Sequence, residues 1–147
     1  MGVYFTLAIM SKLPTFTALF LLSGLVTHAA AEEMTFSGRY EYRTDQESLD
    51  IIGRQVCFYP SGPSARAVPR QAGDGRLPWF CFANSQAAAK MLGFSLSAQL
   101  KGCGVRGIAT VTVSKYVRYA KEGDGNDLAT LTVIERKSKP EPLPCTE

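Results

Sequence analysis

Apolar and polar positions alternate cleanly from residue 34 to 43: Met34, Phe36, Gly38, Tyr40 and Tyr42 share one parity, and Thr35, Ser37, Arg39, Glu41 and Arg43 the other. A period of two gives one buried and one outward face, so this stretch predicts a strand. The longest such run is 105–119, where Val105, Gly107, Ala109, Val111, Val113, Val117 and Tyr119 fall on one side, interrupted by Lys115. Strands of that length bend or bulge, and Gly107 is the expected place. Shorter strand signals cover 51–59, 77–83 and 128–135, with Leu131 and Val133 on one face of the last and Thr130, Thr132 and Ile134 on the other. Asn84 is suited to cap a short helix over 85–92, and Gly93 to end it. The polar stretch 44–50 predicts a turn. Residues 60–76, rich in proline, glycine, serine and arginine, predict a mobile loop, and 94–100 a connection.

The order is therefore strand, strand, strand, short helix, strand, strand. From about residue 34 to 135 it resembles the OB-fold, a five-stranded, partly open Greek-key barrel, with the helix between strands three and four. The likeness is architectural and rests on no diagnostic motif; the small exported OB-fold-like proteins of bacteria are the nearest in kind. The alternative is an irregular α+β antiparallel sheet with one packed helix. The resemblance implies binding on the face of strands two and three and the adjoining loops. On this chain that face includes Arg54, Val56 and Phe58 with Trp79 or Phe80, edged by Arg66, Arg70 and Arg76. Phe58, Phe80 and Phe82 are expected in the core, since small barrels need bulky interior residues. Trp79 is the expected exception, because Pro78 beside it marks an edge or a strand start.

Four cysteines permit three pairings. Cys57 and Cys81 have their midpoint at residue 69, close to the middle of the 60–76 loop. Cys103 and Cys145 have theirs at residue 124, inside the glycine-rich turn 122–127. Each pair brackets its own hairpin, so Cys57 with Cys81 and Cys103 with Cys145 are the expected disulfides. No C-x-x-C spacing points to a metal or redox site instead.

The N-terminal stretch alters the chemical picture more than composition does. Residues 16–26 are almost wholly apolar, follow Lys12 and run into His28-Ala29-Ala30-Ala31-Glu32. The small residues at 29 and 31 form an A-x-A site, and the apolar core is shorter than the roughly 20 residues that span a bilayer. Residues 1–31 are thus expected to be a removable secretory signal, with Met1 or Met10 as its start, and 32–147 a single domain with a proline-rich tail. A periplasmic or secreted location follows, with no membrane anchor left after removal. His28 is the only histidine in the chain of 147 residues, so the domain would have no imidazole. That excludes histidine-activated serine or cysteine nucleophiles and histidine-held zinc.

Loss of Lys12 leaves 15 lysines and arginines against 13 acids, a net charge of +2. So small an excess argues against nucleic acid as a partner. The Glu122-Gly123-Asp124-Gly125-Asn126-Asp127 run lacks the twelve-residue calcium-loop pattern and reads as turn chemistry. No motif calls for a cofactor or metal. The sequence therefore points to a non-enzymatic binding domain that engages a protein or glycan through residues 60–76 and the adjoining sheet, in its most specific form an inhibitor or immunity protein of an exported enzyme. The alternative is a carboxylate-dependent glycan hydrolase drawing on Glu41, Asp45, Glu47 and Asp50, because two carboxyl groups suffice for that reaction.

Overall fold

The computed structural model describes residues 32–119 and 126–145. Residues 1–31, expected to be a secretory signal, and most of the 122–127 turn lie outside the described residues. The elements are β1 (Met34–Arg43), α1 (Gln46–Ile52), β2 (Val56–Pro60), α2 (Pro63–Ala67), β3 (Phe80–Phe82), α3 (Ser85–Leu92), β4 (Gly104–Val117), β5 (Asp127–Lys137) and β6 (Glu141–Pro142). The fold is mainly β, a six-stranded sheet in the order β1-β2-β3-β5-β4-β6. Because β1 also pairs with β4, the ladders close a ring through β1, β2, β3, β5 and β4. The sheet is mixed: β3 runs parallel to β5, and every other pairing is antiparallel.

The inner face of β1 is the one its alternation predicts, with Phe36, Tyr40 and Tyr42 buried. Phe58, Phe80 and Phe82 join them as expected, and Phe80 is the hub, its ring 5.5 Å from those of Phe36, Phe58 and Tyr116. The α3 helix lays Ala88, Ala89 and Leu92 on this core. Its end follows the expected chemistry, since Gly93 takes a left-handed φ of 99° and its N–H caps the helix. Its start does not. Asn84 makes no capping bond with its side chain; instead its amide donates to the Leu131 carbonyl and accepts from the Leu131 N–H, tying the helix to β5.

Other expectations are corrected. Residues 45–52 form no turn or strand: Asp45 caps α1 by accepting from the Ser48 N–H, and β2 begins only at Val56. Residues 60–76 are not a plain loop, because Pro63 starts the one-turn helix α2 and Val68 is buried in the core. The third strand is shorter than 77–83, being confined to Phe80–Phe82. Gly107 is no bulge, since it pairs regularly with Tyr40; the register shifts on β4 fall after Thr110, Thr112 and Ser114. One of those shifts also reverses the parity of β5, so Val133 faces out at 48% exposure while Ile134 packs on the core.

What Gly107 does provide is space. A Cβ there would lie 2.5 Å from Cζ and 2.7 Å from Cε1 of Tyr40, whose ring lies over the glycine and stacks on Phe94. Cross-strand aromatic cover of a glycine is a known way to pin register.

Both disulfides form as expected, Cys57–Cys81 and Cys103–Cys145, and no described cysteine is free. Cys57 and Cys81 are direct register partners on β2 and β3. Cys145 anchors the tail: β6 pairs with Val105 and Arg106, and Leu143 is buried beside it. Such bonds form and persist in an oxidising compartment.

Candidate functional site

The segment between α2 and β3 carries three of the five sequence-selected binding residues, and it is held by its own charges. Asp74 accepts from the Arg76 backbone N–H, from Arg76 Nε at 2.9 Å and from the Arg76 guanidinium at 2.7 Å. Arg70 reaches the same carboxylate at 3.4 Å, and its other amine donates to the Leu77 carbonyl at 2.9 Å. The Arg76 and Arg70 bonds hold the Asp74 carboxyl well below the usual carboxylate range. The clamp closes a turn over residues 70–77, and it sets Leu77 outward at 83% exposure.

Immediately after Leu77 the chain joins the sheet. Trp79 precedes β3 and stacks on Tyr59 of β2, their centroids 6.0 Å apart and the planes within 16°. Arg39, the register partner of Tyr59 on β1, lies 5.1 Å from the tyrosine centroid, a cation–π distance. Arg39, Tyr59 and Trp79 thus stand as a row across the outer face. Trp79 is half-buried and outside the core, as expected for the exception among the four aromatics.

On its other side Trp79 borders a small cleft with Arg70, Arg76, Leu77, Asn126 and Asp127. Asp127 is buried, and its carboxylate accepts from Tyr116 Oη at 2.6 Å and from the Tyr119 N–H at 2.9 Å. Burial, followed by the hydrogen bond to Asp127, pushes the Tyr116 phenol far above its ordinary value, so it remains a donor. Neither residue was singled out from the sequence, where Asp127 reads as the end of a turn and Tyr116 breaks the strand's apolar parity.

Arg70, Arg76 and Trp79 are therefore brought together, while Arg54 and Arg66 are not part of this cleft. Arg66 is exposed in the last turn of α2. Arg54 lies between two grooves, one of about 310 Å³ with Tyr42, Leu49 and Leu100, the other of about 360 Å³ with Gln55, Phe82 and Gln86, both sharing Leu96 and Ser97.

Each of the four acids of the hydrolase alternative has another setting. Glu41 points to the outer face yet is only 6% exposed, packed between Arg39 at 2.9 Å and Arg43 at 3.2 Å. Asp45 caps α1, where the Ser48 N–H lowers its pKa, Glu47 sits in the first turn of that helix, and Asp50 accepts from Gln46. Among the described residues no cluster of histidine, cysteine or acids could hold a metal ion, and no helix is long and apolar enough to cross a membrane.

No family model, curated protein or solved structure matches the chain.

Proposed function

We propose that the chain is a non-enzymatic, exported binding domain that grips a partner protein with the 70–79 segment and the Arg39–Tyr59–Trp79 row, in its most specific form as an inhibitor or immunity protein of an exported enzyme. The single observation carrying this reading is Leu77, a large apolar side chain displayed by the Arg70–Asp74–Arg76 clamp instead of being folded inward. Preorganised loops lose little freedom on association, and tryptophan, tyrosine and arginine, the residues of the row beside Leu77, supply most of the energy at protein interfaces. Two disulfides support both the rigidity and the oxidising location. The five-strand ring with a helix between the third and fourth strands supports the OB-like form of the fold, in which strands two and three carry the ligand face.

The test compares capture from a cell-envelope fraction by the native protein and by Leu77→Asp and Trp79→Ala variants whose circular dichroism matches it. Deleting residues 62–74 is not a clean alternative, because Val68 belongs to the core. A protein held by the native domain and lost by both variants is the expected result. Capture that survives both substitutions overturns the surface assignment, and a glycan as the species lost would assign the same surface to sugar.

A further inference from the structure

The β4 strand departs from its ladder after Ser114, and there Lys115 takes a φ of 52°, the only positive φ at a non-glycine among the described residues. A side chain is disfavoured in that conformation, which glycine adopts freely, and departures of this kind concentrate at functional positions. Lys115 lines an open groove of about 670 Å³, walled by Met34, Ala67, Pro69 and Tyr116 and charged by Lys115, Arg118 and Glu32. Lys115 and Arg118 are exposed and make no hydrogen bond or ion pair with a described residue. Two cations without a partner among the described residues, set over an apolar wall, are the complement of an anion with a hydrophobic neighbour.

We propose that this groove is a second contact site, which binds a carboxylate-bearing segment of polypeptide: Lys115 and Arg118 hold the carboxylate, while Met34, Pro69 and the Tyr116 ring pack the apolar residue beside it. A sugar fits the lining poorly. The Tyr116 hydroxyl is committed to Asp127, so beside the two cations only Glu32 accepts hydrogen bonds, too few acceptors for a ring of hydroxyl donors. Anionic membranes select clusters of about four to eight basic residues, and this groove has two. The inference rests on the protein-partner reading for the source of the carboxylate. Ala67 and Pro69, at the end of α2, place one wall of the groove just ahead of the segment that displays Leu77.

The experiment titrates the purified protein with a capped Glu-Leu-Glu-Leu-Glu peptide and with its glutamine counterpart, following the amide resonances of residues 114–118. The glutamate peptide is expected to bind more tightly, with Lys115→Gly and Arg118→Gln each weakening it by about fivefold, the range of an exposed ion pair. Lys115→Gly is also expected to leave the melting temperature unchanged or raise it, which a purely structural lysine would not do. Equal binding of the two peptides, tighter binding of a heparin oligosaccharide or of phosphatidylglycerol vesicles at the same resonances, or unchanged affinity in both variants would overturn the proposal. Leu77→Asp should leave peptide binding intact. Failure of the peptide alongside Leu77-dependent partner capture removes only the groove, and the reverse outcome removes only the Leu77 surface.

Discussion

Replacing Gly107 by alanine tests the packing that closes the ring between β1 and β4. The added methyl carbon would sit 2.5 Å from Cζ and 2.7 Å from Cε1 of Tyr40, where ordinary carbon contacts need about 3.5 Å or more. The tyrosine ring must therefore retreat by about 1 Å. It has nowhere to go, being fully buried and stacked on Phe94. Overpacking of this kind costs about 1–3 kcal/mol. Alanine returns about 0.4–1 kcal/mol by restricting the unfolded chain, and no left-handed φ at Gly107 adds a backbone penalty. The net expectation is a loss of about 1–2 kcal/mol, a fall of about 1 M in the urea midpoint with the slope unchanged. In a Tyr40→Leu background the same methyl meets no ring, so Gly107→Ala should be neutral or stabilising, and the cycle should show about 1 kcal/mol or more of coupling. A neutral Gly107→Ala in the native background would refute the reasoning and return this glycine to the status of an ordinary strand residue.

Other outcomes follow from the same contacts. The Cys103→Ala/Cys145→Ala double variant frees a loop with a sequence separation of 42 and should lose about 4 kcal/mol on the chain-entropy account, against about 3.5 kcal/mol for Cys57→Ala/Cys81→Ala with its separation of 24; urea melts showing under 1 kcal/mol for either would contradict it. Asp45→Ala removes the α1 cap and should cost about 1 kcal/mol in the same assay. The Asp74 carboxyl is held down by Arg76 and Arg70, so its contribution is complete above the unfolded carboxylate range and is lost only as pH falls through its lowered folded value. Fluorescence of Trp79, the sole tryptophan, should therefore stay constant from pH 7 through 4 and change only in stronger acid; a transition centred near pH 4 would deny the clamp. The Tyr116 phenol is shifted the other way, its stabilisation present below the unfolded value of 10.0 and lost as pH rises beyond it. Absorbance titration should show at least one tyrosine that ionises only on alkaline unfolding, and Tyr116→Phe should remove one such group.

How far the chain could be read depended on the range of each interaction. The period-two runs around Phe36 and Val111 and the αL preference of Gly93 are local signals, and each appeared where expected. The cysteine pairing was legible because symmetry about a turn is a simple consequence of antiparallel register. The helix start at Asp45 departs from the expected turn although its capping signal is local, since the polar run from Thr44 to Ser48 resembles a turn as much as a first helical turn. Gly107 and Val133 could not be resolved by parity. The slot for Tyr40 depends on a residue 67 positions away, and the reversal at Val133 depends on register shifts that no alternation records. The site was legible only in part. Arginines around Trp79 stood out by composition, but the fact that Asp74 gathers Arg70 and Arg76, while Arg54 serves separate grooves, is a matter of tertiary placement.

The two disulfides also set the mechanical length of the molecule. A force applied between residues 32 and 145 bypasses the chain enclosed by Cys57–Cys81 and by Cys103–Cys145, so only residues 32–57 and 81–103 can pay out. At about 3.4 Å per residue that is roughly 160 Å of contour, against roughly 380 Å for the reduced chain. β1 lies wholly within the extensible part, while its partner β4 lies within a locked loop. Tension would thus strip the first strand from the ring and then meet a covalent stop, leaving the clamped 70–79 segment inside a loop that force cannot enter.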